Sequence, residues 1–230
     1  MTFTVTLFDY NGVLVDDEAV HLEAFRDALR PMGVPVAEAA YWDRYIGFDD
    51  REGFAAMLQD AGRPAPPELV EELIRAKRPL YLARAERELK SFPGAAQLVR
   101  ERALRGPVLV VSGALRDEIR LGLTKLAVGD CVQHVVAAED TSASKPDPEG
   151  YELALAWLGE HGHRDVQRET VVIEDSLAGI AAAKAAGLSC IAVGHSYPLD
   201  KLEASGADLV VPELRCIDGA VLAKLYAETR

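Results

Sequence analysis

Thr4-Val5-Thr6-Leu7-Phe8-Asp9-Tyr10-Asn11-Gly12-Val13-Leu14-Val15-Asp16 is a short strand-like run that ends in a carboxylate and breaks into an Asn-Gly turn. A carboxylate at the carboxyl end of a buried strand stands where open α/β sheets bind their ligands. Taken alone, the plainer reading is favoured: a strand capped by an Asp, then a loop. The rest of the chain changes that balance. From Glu18 the hydrophobic period becomes helical, with Val20, Leu22, Phe25, Ala28 and Leu29 at helical spacing. Pro31 and Gly33 break that helix. Helical patterns continue over 37–45, 51–60 and 68–88, divided by Gly47, Gly62 and the prolines of 64–67. No strand is predicted between 18 and 88.

After Phe92-Pro93-Gly94 the character changes. A helix over 95–103 leads to Val108-Leu109-Val110-Val111, a β-branched run of the kind buried on both faces of a parallel sheet. Apolar runs at 134–138, 170–173, 190–193 and 209–211 predict further strands. Helical segments near 116–126, 149–158, 179–186 and 199–205 separate them. Such alternation means βαβ units and a parallel sheet. The fold class expected is therefore α/β, and it is discontinuous. Residues 1–17 plus 91–230 form the sheet domain, and an all-helical block, 18–90, is inserted into it.

The 230 residues suffice for a large core plus a smaller inserted domain, and the composition is that of an ordinary globular protein. A formal net charge of -12 argues against nucleic acid, whose phosphates require clustered Lys and Arg. It leaves room for a small anionic substrate at a locally positive site. Cys131, Cys190 and Cys216 show no metal-ligand spacing, and a reducing cytoplasm is the default setting. No targeting segment and no membrane span is expected. The expected assembly is a monomer or a weak homodimer.

Four strand ends carry polar groups: Asp9, Ser112-Gly113-Ala114, Lys145-Pro146 and Glu174-Asp175-Ser176. In a parallel sheet these ends share one edge and can converge on one pocket. Each has a plain structural explanation. Ser112, Asp175 and Ser176 suit helix N-caps, Lys145 suits a solvated loop, and Glu174 beside Asp175 suits an acidic surface. All four holding by coincidence in this order is much less probable. The chemistry that wants the set is phosphoryl transfer. A carboxylate serves as nucleophile, a hard cation such as Mg²⁺ is held by oxygen ligands, and Lys145 with the Ser112 hydroxyl and the turn N–H groups of Gly113 and Ala114 holds phosphoryl oxygens.

On these residues the chain resembles a haloacid dehalogenase-superfamily phosphatase with a helical cap on a Rossmann-like core, in the branch that includes β-phosphoglucomutase and phosphoglycolate phosphatase. Phe8-Asp9-Tyr10-Asn11-Gly12-Val13 resembles the first motif, Val111-Ser112-Gly113 the second, Lys145-Pro146 the third and Ile173-Glu174-Asp175-Ser176 the fourth. Asp16-Asp17-Glu18-Ala19-Val20-His21 is similar to the cap entrance, and Phe92-Pro93-Gly94 to the return hinge. The resemblance implies that Asp9 is nucleophile and metal ligand. It also implies a Mg²⁺ site completed by the Asn11 backbone carbonyl, Glu174 and Asp175, and a small phosphorylated metabolite as substrate. The segment Tyr45-Ile46-Gly47-Phe48-Asp49-Asp50-Arg51 resembles the cap's specificity loop, which makes His21, Gly47 and Arg51 substrate-side candidates. A surface ion pair at Arg51 and a packed helix-face His21 are equally compatible with the sequence.

One residue departs from the pattern. The family's phosphatases and mutases carry a second Asp where this chain has Asn11, and that Asp protonates the leaving oxygen and then activates water. Asn does neither, and such help is worth ~10²–10⁴-fold in rate. Four explanations stand side by side: a binding protein descended from an enzyme, a mutation that traps the intermediate, substrates whose leaving groups need no acid, or another acid such as Asp16, Asp17 or His21. A fifth is chemical, since Asn-Gly is prone to deamidate and would restore an Asp. Retention of Glu174-Asp175 argues against a dehalogenase, and Lys77 and Lys90, the only cap lysines, lie away from the Gly47 loop where a phosphonatase lysine belongs. Ile46 weakens the sugar-phosphate mutase reading.

Overall fold

The structure is a computed structural model and describes residues 2–229. The chain divides into two units, one made of the chain up to Val15 and from Ser91 onward, the other of Asp16–Lys90.

The first unit opens with β1 (Val5–Phe8), buried along its whole length, and the start of β2 (Val15–Asp16). The chain then runs through the second unit: α1 (Glu18–Leu29), the short α2 (Glu38–Ala40) and its π-helical extension Tyr41–Tyr45, α3 (Asp50–Asp60) and α4 (Pro67–Glu88). No strand lies between Glu18 and Glu88 among the described residues, as the period predicts. Phe25, Tyr41, Tyr45, Phe54, Leu58, Val70 and Leu73 form its core. The single helix expected over 37–45 is instead one helical turn that widens at Tyr41. β3 (Lys90–Ser91) pairs with β2 where the chain leaves and returns.

Back in the first unit come α5 (Ala95–Ala103), β4 (Val108–Val111), α6 (Arg116–Lys125), β5 (His134–Val136), α7 (Glu149–Glu160), α8 (Val166–Glu169), β6 (Thr170–Glu174), α9 (Leu177–Ala185), β7 (Ser189–Val193), α10 (Leu199–Glu203), β8 (Leu209–Val211) and α11 (Gly219–Glu228). The sheet order is β5-β4-β1-β6-β7-β8, all pairs parallel. This is the Rossmann-like α/β architecture that the alternation predicts. Val5, Leu7, Leu109, Val172 and Ala192 pack with Tyr151, Ile180 and Leu202 into one buried layer. Thr6 is the polar exception inside β1, and its hydroxyl accepts the buried Arg102 Nε at 2.7 Å.

Register decides where the chemistry sits. Phe8 pairs with both Val110 and Ile173, so Asp9, Ser112 and Glu174 leave the sheet at one edge. β1 and β6 are neighbours from which the chain departs in opposite directions across the sheet. Ligands bind in the crevice that such a reversal opens.

Candidate active site

The loop after β1 is tightly folded on itself. Leu14 N and Val15 N both donate to the Tyr10 carbonyl, and Gly12 N donates to the Val15 carbonyl at 2.9 Å. Tyr10 anchors the loop: its buried ring lies where a Cβ on Gly122 would come within 2.0 Å of its hydroxyl, which donates to the Glu118 carbonyl at 2.9 Å. Gly12 has φ +73, the left-handed region, and a Cβ there would lie 2.0 Å from Asp175 Oδ2. The Asn-Gly turn thus brings backbone directly against the fourth-motif carboxylate.

Asp9 follows β1 and is 7% exposed; Glu174 ends β6 at 0%, and Asp175 opens the next turn at 4%. Ligand atoms of the three carboxylates lie within 4.8 Å of one another. Lys145, from the loop after β5, donates to Asp9 Oδ1 at 2.7 Å, Glu174 Oε1 at 2.6 Å and the Val111 carbonyl at 3.1 Å. Glu174 is fully engaged. Oε1 also accepts the Tyr151 hydroxyl at 2.9 Å, while Oε2 accepts Asp175 N, Ser176 N and Ser176 Oγ. Gly179 makes room for it, since a Cβ there would fall 1.8 Å from Oε1. The Ser176 hydroxyl also accepts Gly179 N at 3.0 Å as the N-cap of α9, so the capping reading of that serine holds.

Burial pushes the Asp9 carboxyl up to about 7, aided by Glu174 and opposed by Lys145. Burial also works against the Lys145 charge, but Asp9 and Glu174 outweigh it and hold the ammonium above the ordinary lysine range. Tyr151 is raised by burial and then by Glu174, so it stays a hydrogen-bond donor. Three buried carboxylates against one ammonium leave two negative charges when all are ionised. Hard oxygen donors, close spacing and that charge imbalance fit a divalent cation such as Mg²⁺.

Ser112 Oγ lies 3.3 Å from Asn11 Oδ1 and accepts the Ala114 N–H at 3.2 Å. Ala114 is buried with its N–H turned back on Ser112, whereas Gly113 is exposed at the turn. The folded loop opposes the deamidation of Asn11. The succinimide needs the Gly12 nitrogen as nucleophile, and that N–H is committed to the Val15 carbonyl.

The remaining candidates belong to the second unit. Gly47 takes φ +80 in an exposed loop, and Arg51 pairs with Glu71 at 2.9 Å on the surface. His21 lies between Asp17, 3.2 Å from its Nε2, and Lys77 Nζ, 2.8 Å from its Nδ1. Lys77 is fully buried, pairs with Asp50, and sits over the Phe25 ring at 4.5 Å. Tyr81 donates to Asp17 Oδ2 at 2.5 Å. The motifs give Lys77 no role beyond that of a cap lysine in the wrong place. A signal for its burial is nonetheless present: Val70, Leu73, Lys77, Tyr81 and Ala85 form the buried stripe of α4, and a lysine on such a stripe needs a buried partner.

The haloacid dehalogenase-like hydrolase family model matches residues 6–193. Protein CbbY of Cereibacter sphaeroides is 33% identical over 226 residues, 93% of each chain. Validoxylamine A 7'-phosphate phosphatase of Streptomyces hygroscopicus subsp. limoneus is 28% identical over 214 residues, 92% of this chain and 94% of its own. Among solved structures, an aspartate-to-asparagine mutant of CbbY from Rhodobacter sphaeroides, in complex with xylulose 1,5-bisphosphate, superposes with TM-score 0.81 at 28% identity, covering 96% of this chain and 99% of that one. Among the described residues no helix is long and apolar enough to cross a membrane.

Proposed function

The chain belongs to the haloacid dehalogenase-like hydrolase family, and from that premise we propose that it is a Mg²⁺-dependent phosphatase of a small phosphorylated metabolite, with Asp9 as nucleophile. The observation that carries the reading is the placement of Asp9 at the end of the central strand, 2.7 Å from Lys145 and within 4.8 Å of Glu174 and Asp175. A relative named as the phosphatase of validoxylamine A 7'-phosphate and a solved relative that holds xylulose 1,5-bisphosphate support the substrate class. The cation would be held by Asp9, Asp175 and the Asn11 backbone carbonyl. When bound it would offset the repulsion between carboxylate and phosphate. Glu174, with five donors already on it, contributes charge and holds Lys145 in place.

In the first chemical step an Asp9 oxygen forms a bond to phosphorus as the ester P–O bond breaks, and the bonding pair leaves on the alcohol oxygen. Lys145 holds the ionised nucleophile and neutralises charge on the phosphoryl oxygens, and the Ser112 turn supplies further donors. Water then attacks phosphorus, releasing phosphate and restoring Asp9. The helical unit, Asp16–Lys90, would serve as a cap that excludes water and selects the substrate.

Asn11 has no proton for the leaving oxygen. Turnover of the chain as it stands is therefore confined to phosphates with good leaving groups, such as acyl and aryl phosphates. The same residue favours a second reading, a phosphate-ligand holder with little turnover; a sugar-phosphate mutase ranks third. Turnover on a panel of phosphate esters, for the chain and for Asn11→Asp, separates them. A gain of ~10²–10⁴-fold on alkyl phosphates supports the phosphatase. No turnover by either chain on any ester supports the holder.

A further inference from the structure

The loop after β7 reaches the site from a side that no motif marks. It reads Gly194-His195-Ser196-Tyr197-Pro198. His195 Nδ1 lies 2.8 Å from the Gly12 carbonyl, to which its N–H donates, and the ring lies flat on Phe92 with centroids 3.8 Å apart at 9°. The adjacent Ser196 hydroxyl donates to Asp175 Oδ2. Two consecutive side chains thus grip two walls of one site: the loop that carries Asp9 and Asn11, and the carboxylate that faces it.

We propose that His195 and Ser196 form a positioning clip that sets the spacing of the nucleophile loop and Asp175, and with it the affinity of the site for a divalent cation. The proposal rests on the reading that Asp9 and Asp175 hold that cation. Cation affinity depends on holding oxygens at a fixed spacing, and the partners that orient a ligating carboxylate are typically worth ~10–100-fold in metal affinity. Ser196 fixes the Asp175 rotamer by a bond to the same Oδ2 that the Gly12 backbone crowds. His195 has a different task. Gly12 at φ +73 has wide backbone freedom, and its carbonyl lies one peptide beyond the Asn11 carbonyl proposed as a ligand. An N–H aimed at that carbonyl fixes the peptide plane, and the stack on Phe92 fixes the ring.

The two halves can be separated. Ser196→Ala removes the hydroxyl, and Ser196→Thr keeps one. His195→Phe keeps a flat ring for Phe92 and removes the donor, whereas His195→Asn keeps an N–H near the Nδ1 position and removes the ring. The test is a calorimetric Mg²⁺ titration of the full chain and each variant, with thermal unfolding of the cation-free proteins alongside. The expected result is Mg²⁺ binding weakened ~10–100-fold by Ser196→Ala and about 10-fold by His195→Phe. Ser196→Thr and His195→Asn should recover most of the loss, and the cation-free midpoints should change little. Lowered midpoints with unchanged affinity of the folded protein would reduce the clip to a structural contact and overturn the proposal. Unchanged affinity in every variant would overturn it while leaving the cation site standing. Absence of Mg²⁺ binding by the parent chain would overturn both.

Discussion

Without a cation, Asp9 is buried beside Glu174, Asp175 and Lys145, and burial raises its carboxyl from 3.8 to about 7. A raised carboxyl favours the folded state below the unfolded value and loses that advantage as pH climbs through the folded one. At about 1.4 kcal/mol per unit, the folded protein loses roughly 4 kcal/mol through Asp9 between pH 4 and 8. A carboxamide in place of the Asp9 carboxyl would mimic its neutral form at every pH. Asp9→Asn should therefore stabilise the cation-free chain at pH 8 by roughly 3–4 kcal/mol, on the order of 10 °C in Tm for a chain of this size, while abolishing turnover. Near pH 4 the two proteins should be equally stable. The assay is thermal or urea unfolding with chelator from pH 4 to 8. Saturating Mg²⁺ should narrow the gap, because at a hundredfold excess over Kd it adds ~2.7 kcal/mol to whichever protein binds it. A destabilised Asp9→Asn at pH 8, or a gain independent of pH, would refute the reasoning.

Three further outcomes are expected from the same geometry. Lys145→Met strips the ammonium from between two buried carboxylates and should cost ~3–5 kcal/mol at pH 8, read by urea unfolding, with loss of turnover. Mg²⁺ binding should release a proton below pH 7 and tighten as pH rises toward 7, since the raised Asp9 carboxyl must ionise to ligate; titration in buffers of different ionisation enthalpy counts the protons. Gly12→Ala places a Cβ 2.0 Å from Asp175 Oδ2 at a positive φ, and should weaken Mg²⁺ binding more than about 10-fold, measured by the same calorimetry.

The sheet is legible in the sequence because a strand buried on both faces must be a run of β-branched and apolar residues. Val108–Val111 and Thr170–Glu174 lie within a residue of where the runs place them. Asp9, Lys145, Glu174 and Asp175 are legible for a related reason: polar residues at strand ends share one edge whatever the loops do. Local sequence fails where partners are remote. The His195 contact spans 183 residues and the Ser196 contact 21, and neither side chain belongs to a recognisable pattern. Lys77 is a different case, for it lies on the apolar stripe of α4, against the ordinary expectation that lysines are solvated. The widened turn at Tyr41–Tyr45 has the same 3.6-like spacing as a helix and cannot be told from one by period alone.

The central claim is that Asp9 accepts the phosphoryl group and that Asn11 slows its later release to water. Rapid-quench mass spectrometry with an aryl phosphate tests both parts together, because an aryl leaving group departs without an acid while release of the phosphoryl group still lacks its base. The account predicts a burst of aryl alcohol and a phosphoryl adduct on the peptide containing Asp9, absent from Asp9→Asn and shorter-lived in Asn11→Asp. Turnover without an adduct on Asp9, or turnover that survives in Asp9→Asn, would contradict it.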